Sequence, residues 1–194
     1  TIRSCFEELA RQAEQETLSY ERYLLALIER ELQVRQQHRL ERQLRDSRLP
    51  MDKDLTSFDM KRLPTKLARQ VKSLLDGSFV DRRENLLAFG TVGGGKTHLL
   101  CGIAHELVRQ GRKVHFRSCG LLVQELLAAK RDLKLSRTIK KLAGYEAIVI
   151  DDLGYVQQSR EEMEVLFTLL AERYERGSVM ITSNLPFSKW EAIF

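Results

Sequence analysis

Over the first 49 positions apolar residues are spaced as on a helix, with Leu18, Leu25, Ile28 and Leu32 recurring inside highly charged sequence. No glycine or proline interrupts the run, so residues 1–49 are expected to form a helical N-terminal region. Leu49-Pro50 ends it, because proline lacks the N–H of the helical ladder and restricts the residue before it. Residues 50–64 read as an extended connector, with Phe58 an apolar anchor and Pro64 a second stop. Residues 65–76 return to a helix closed by Gly77.

From Leu86 the pattern changes to short apolar runs alternating with helical stretches. "NLLAF" precedes a helix from Lys96 to about Gln110; "KVHFRS" precedes a long helical stretch from Leu121 to Leu142; "AIVID", another helix and "SVMITSN" follow. Repeated strand–helix–strand order implies a parallel sheet covered by helices on both faces, with ligands at the carboxyl ends of its strands. The expectation is an α/β core over residues 65–194, preceded by the connector and the helical region.

Gly90 stands at one such strand end and opens "GTVGGGKT", which matches G-x-x-x-x-G-K-[ST] at Gly90, Gly95, Lys96 and Thr97. An upstream strand and a downstream helix are the context this phosphate loop demands. Three glycines in a row lose much backbone freedom on folding, and Gly93, Gly94 and Gly95 give a reason for it: N–H groups curl around phosphate oxygens at a helix N-terminus. Lys96 then reaches the β and γ phosphates of ATP, and the Thr97 hydroxyl holds Mg²⁺. His98 falls in the first helical turn, grouped with the nucleotide-binding loop by position and not as a catalyst.

In "EAIVIDDLGYV" four apolar residues run into two carboxylates. Asp151, at the end of a buried strand, suits the Mg²⁺ shared with Thr97, since a hard cation takes oxygen ligands beside phosphates. Asp152 is placed to orient or deprotonate an attacking water. The next strand ends in Thr182, Ser183 and Asn184, and Asn184 serves either as a sensor of the γ-phosphate or as a strand-end amide capping the turn before Pro186. Glu125, Glu161 and Glu162 lie on helical stretches and read as solvated faces.

Composition adds little: 43% hydrophobic and 30% charged residues are ordinary for a soluble chain able to bury one core. Apolar runs are too short to span a bilayer and no signal-peptide order is visible, so a cytoplasmic protein without a membrane partner is expected. Cys5, Cys101 and Cys119 are widely spaced, with no C-x-x-C pair, and read as reduced structural thiols. The net charge of +5 is compatible with a polyanionic partner, but where the charges lie matters more.

The runs "LLAFGTVGGGKTHLLCGIAHELVRQGRKVHFRS", "IVIDDLGYV" and "MITSNLPFSKWEAIF" resemble the IstB family of AAA+ ATPases over roughly residues 50–194. These are transposition helper proteins related to DnaC-type helicase loaders and, more distantly, to bacterial replication initiators. The resemblance implies an AAA+ P-loop core, ATP hydrolysis with Mg²⁺, a homo-oligomer of AAA+ subunits on duplex DNA, and a cognate transposase as partner. It also favours Asn184 as the phosphate sensor. Thr91 and Gly94 depart from the residues common in the family's loop, and Asp152 is shorter than the glutamate usual there, which implies slow hydrolysis. The sequence stops at Phe194, ahead of the final strand, arginine finger and helical lid the resemblance implies, so the natural chain is expected to continue. A DnaC-like replicative helicase loader is the alternative on the same core, followed by a small-molecule kinase and a nucleotide-gated scaffold.

DNA contact has its own candidate in "AAKRDLKLSRTIKKLAG". Lys130, Lys134, Arg137 and Lys141 are separated by four, three and four residues, so one continuous helix would align them as a basic stripe suited to a phosphate backbone. An ordinary solvated face is the alternative. A second basic run, Arg35, Arg39, Arg42, Arg45 and Arg48, drifts around its helix. Few aromatics accompany either run, so backbone contact is favoured over base stacking.

Overall fold

The computed structural model describes residues 2–154 and 159–192. The chain divides into two compact units, Thr1–Arg42 and Gln43–Phe194. The division falls inside a helix, seven residues ahead of the 1–49 boundary that Pro50 suggests.

In the first unit, α1 (Ile2–Gln15) meets the start of α2 (Tyr20–Ser47) across a turn where Thr17 adopts a left-handed φ of 52°. The Ile2 N–H donates to Glu31 Oε2 at 3.0 Å, and the Tyr23 hydroxyl donates to the Phe6 carbonyl at 3.2 Å, so the helices run antiparallel. Leu27 is buried, whereas Leu25, Ile28 and Leu32 remain about half exposed. Two helices share a single seam, which cannot cover a wider apolar stripe.

The second unit begins with the last turn of α2 and a stretch of turns containing a short 3-10 helix, Met60–Arg62. It continues through α3 (Thr65–Leu74), α4 (Ser78–Asp81), β1 (Leu86–Phe89), α5 (Lys96–Arg109), β2 (Val114–Ser118), α6 (Cys119–Arg131), α7 (Leu135–Ala143), β3 (Ala147–Leu153), α8 (Arg160–Arg173) and β4 (Ser178–Ser183). The four strands are parallel in the order β1-β4-β3-β2. Central β3 and β4 are buried apart from Asp152, as expected for strands covered on both faces. Ile148, Ile150, Val179 and Ile181 pack with α6, α7 and α8 on one face, and α5 takes the other. Parallel order brings the carboxyl ends of β1, β3 and β4 to one edge, where the phosphate loop also lies.

The single helix expected over Leu121 to Leu142 is two helices. α6 closes with the Lys134 N–H on the Ala129 carbonyl at 2.7 Å and the Leu133 N–H on that of Lys130 at 3.1 Å, a termination usually built on glycine. Leu133 occupies it with φ 57° and is 95% exposed. The core explains the break: Leu122, Leu126 and Ala129 are buried from α6, and Ile139 and Leu142 from α7. On one unbroken helix, at 3.6 residues per turn, the second pair would face roughly 140° away from the first set. Turning at Leu133 brings both sets onto the sheet.

At the opposite end of the sheet, buried Arg173 donates to the carbonyls of Leu142, Tyr145, Glu146 and Ser178 at 2.9–3.1 Å. It pairs with no carboxylate among the described residues, and burial pushes its guanidinium down to about 10, still charged at neutral pH. Cys101 is buried and its thiol is pushed up to about 12 by burial, which fits an unreactive structural cysteine. Among the described residues no helix is long and apolar enough to cross a membrane.

Candidate nucleotide-binding site

The loop between β1 and α5 turns through left-handed Gly93 (φ 75°) and Gly95 (φ 80°), conformations that cost other residues a Cβ clash. At Gly94 the obstacle is proximity, since a Cβ there would lie 3.1 Å from the Thr91 carbonyl oxygen. Gly95 is also the N-cap of α5, leaving the helix's first N–H groups facing the loop. Lys96 folds back over this loop, its Nζ donating to the Thr91 carbonyl at 2.8 Å and to Asn184 Oδ1 at 2.5 Å. Residues 88 positions apart in sequence thus meet at one ammonium. Gly93 to His98, Asp152, Asn184 and Lys53 line a hollow of about 400 Å³.

The two carboxylates sit on an irregularity in the sheet. Ile150 pairs with Ile181 and Leu153 with Ser183, so Asp151 and Asp152 together oppose Thr182 alone, the geometry of a β-bulge. The extra residue puts Asp152 at φ 60° and turns its N–H out of the ladder. The Thr182 hydroxyl accepts from that N–H at 2.8 Å and donates its own hydrogen bond to Asp151 Oδ1 at 2.6 Å. Fully buried Thr182 therefore holds the Asp151 carboxylate and the Asp152 backbone through one oxygen. Asp151 keeps its second oxygen free of hydrogen bonds among the described residues; it lies behind the hollow, whose wall carries Thr97 and Asp152, and hydroxyl and carboxylate oxygens are the donor type that Mg²⁺ takes. Surrounding protein raises the Asp152 carboxyl above its ordinary range, with Asp151 adding to the effect and Lys96 and Lys53 opposing it.

Thr182 was visible in sequence only as one of three polar residues ending a strand. What distinguishes it is the bulge, and no local pattern announces a bulge on the facing strand. The connector also has a larger part than its sequence suggests. The His98 ring leaves the loop and engages the connector, with Nε2 2.8 Å from the Asp54 carbonyl and 3.1 Å from Ser57 Oγ, and Phe58 meets the ring edge-on at 5.2 Å. Leu55 packs where a Cβ on Gly102 would come within 2.7 Å, so α5 needs glycine there. A second, apolar hollow of about 610 Å³ lies between Phe58, Leu63, Leu67, Val71, the strand β1 and Gly94 to Lys96.

The four basic candidates do not share one helix. Lys130 ends α6 and pairs with Glu164 of α8 at 3.0 Å; Lys134 is the N-cap residue of α7 and lies 3.3 Å from Asp132. Arg137 and Lys141 lie on α7, with no ion pair among the described residues. The stripe inferred from spacing is corrected to two groups separated by the Leu133 turn. Of the carboxylates read as solvated, Glu125 pairs with Arg117 at 3.3 Å, and Glu162 joins Ser159 in a capping box that starts α8.

The family model described as IstB-like ATP binding protein matches residues 1–194. A relative in Sinorhizobium fredii, named as an insertion sequence ATP-binding protein, is 40% identical over 100% of this chain and 65% of its own length. Another, named for the IS21 insertion sequence of Pseudomonas aeruginosa, is 34% identical over 97% of this chain and 71% of its own. The chain thus spans about two-thirds of the length of these relatives. Among solved structures, AMPPCP-bound DnaA from Aquifex aeolicus superposes with a TM-score of 0.66 at 18% identity, over 76% of this chain and 46% of that one. The DnaC helicase loader gives 0.62 at 19% identity, over 73% and 82%. Identities this low bear on the fold alone, and the fold they share is the AAA+ P-loop domain with its parallel sheet. By the whole-chain family match and these insertion-sequence relatives, the chain belongs to the IstB-like ATP-binding protein family.

Proposed function

We propose that this chain binds and hydrolyses Mg-ATP and uses the nucleotide to control a homo-oligomer on duplex DNA, where it recruits or activates a transposase. The observation that supports the hydrolytic part is the Lys96–Asn184 contact on the hollow that Asp152 also lines, with Thr182 holding the Asp152 N–H and the Asp151 carboxylate at the adjoining strand ends. The loop amides and Lys96 bind the phosphates, and the larger apolar hollow suits the base. Thr97 and Asp151 hold the metal, which when bound neutralises charge developing on the phosphates. Asp152 orients the attacking water and accepts its proton, while Asn184 contacts the γ-phosphate oxygen.

Duplex DNA and the transposase enter through the relatives' insertion-sequence names, which favour this reading over a replicative helicase loader. Arg137 and Lys141 on α7, with Lys130 and Lys134 nearby, supply cations for phosphate contact. The deciding experiment measures phosphate release with and without duplex DNA and with no acceptor substrate. The expected result is slow release that rises with DNA; release requiring an acceptor would mean a kinase, and none under any condition a nucleotide-gated scaffold.

A further inference from the structure

The stretch before α3 is fastened to α5 along its length. The Pro50 carbonyl lies 2.9 Å from His105 Nε2, the Asp54 carbonyl 2.8 Å from His98 Nε2, and Leu55 fills the space over Gly102. Asp54 stiffens the stretch from within. Its carboxylate accepts the Thr56 hydroxyl at 2.7 Å and the Ser57 N–H and hydroxyl at 2.9 Å, and these bonds hold it down at about 2. Lys53 stands between the Pro50 and Asp54 attachments, so its backbone is positioned with the phosphate loop's own helix.

From there its side chain lines the smaller hollow, the one walled by Gly93 to His98, Asp152 and Asn184. It forms no ion pair among the described residues, although Asp52 and Asp54 flank it in sequence. A half-buried lysine in no ion pair thus joins Lys96 on a hollow that holds one carboxylate, Asp152, so two cations face it there. On the nucleotide reading above, Asp152 and Asn184 attend the terminal phosphate, and Lys53 lines the same hollow.

We propose that Lys53 is a second phosphate-binding cation of the nucleotide site, supplied by the segment ahead of the core and directed at the terminal phosphate of a nucleoside triphosphate. This deepens the nucleotide reading above and rests on it. A contact to the last phosphate makes the site discriminate triphosphate from diphosphate, which a lysine packing only through its methylene stem would not do.

The test compares wild type with Lys53→Met, which keeps the stem and removes the charge, and Lys53→Arg, which keeps the charge. Affinities for a non-hydrolysable ATP analogue and for ADP are measured with magnesium, after circular dichroism confirms equal folding. Lys53→Met is expected to weaken the triphosphate by about tenfold, the scale of one charge-assisted contact, and ADP by less than about threefold. Lys53→Arg should keep most of the preference. Equal losses for both nucleotides, or no loss, in a variant whose parent binds nucleotide would overturn the role of Lys53 alone. A wild-type chain that binds neither nucleotide would overturn the site reading and this role with it.

Discussion

The phosphate loop and the basic stretch at residues 128–144 were both inferred from spacing, and the fold treats them differently. In the loop, the residues are contiguous and the backbone conformation belongs to the glycines themselves, so the turn at Gly93 and Gly95 and the fold-back of Lys96 are set locally. The basic stripe depended on one helix persisting from Lys130 to Lys141, and core packing decided otherwise at Leu133. A spacing argument is as good as the element it presumes. Contiguous loops carry their geometry with them, while long surface stripes borrow theirs from whichever residues must be buried on the far side.

The sharpest way to break this contrast is at Lys96. Lys96→Ala removes the ammonium that bridges Thr91 and Asn184, and nucleotide affinity should fall on the order of 100-fold, since several charge-assisted contacts are lost together. Nucleotide-dependent DNA binding should vanish with it; titration of a fluorescent ATP analogue gives the number, and undiminished binding would detach the motif from its function. Next in size is Thr182. Thr182→Val keeps the shape but leaves the Asp152 N–H without a partner and Asp151 unanchored, so the fold should lose about 1–3 kcal/mol in urea unfolding. Phosphate release should drop about 10- to 100-fold, and Thr182→Ser should restore most of both. A Val variant as active as wild type would mean the bulge aims the carboxylates unaided.

The basic stretch yields smaller effects. Lys134→Ala with Arg137→Ala should reduce the slope of log affinity against log salt by about 0.9 per residue if each neutralises one DNA phosphate, with similar weakening across unrelated sequences. An unchanged slope would return these residues to the solvent and turn attention to Arg35 through Arg48. The smallest effect belongs to Leu133→Gly. Leu133 buries almost nothing and holds a left-handed φ, so glycine should stabilise the chain by up to about 1 kcal/mol in thermal or urea unfolding, without touching nucleotide binding. Destabilisation would show that the leucine has a partner surface of its own.

Much of the fold was legible because the alternation of short apolar runs with helical stretches is a local signal: "AIVID" and "SVMITS" became the central strands, and the helix after Gly95 begins at Lys96. The carboxylate pair was legible as a motif, but its geometry was not, because it is set by a register offset against β4, thirty residues downstream. The connector was read as a link because its turns lack periodicity. Its attachment to α5 joins His98 and His105 to the carbonyls of Asp54 and Pro50, and since every residue has a carbonyl, the sequence does not say which ones the two histidines meet.

Arg173 gives the sheet a mechanical character. Its guanidinium grips the carbonyls of Glu146 and Ser178 at the amino ends of β3 and β4, while Thr182 couples the same two strands at their carboxyl ends. The pair resembles a beam clamped at both supports: sliding one strand past the other would break the bonds at both ends together.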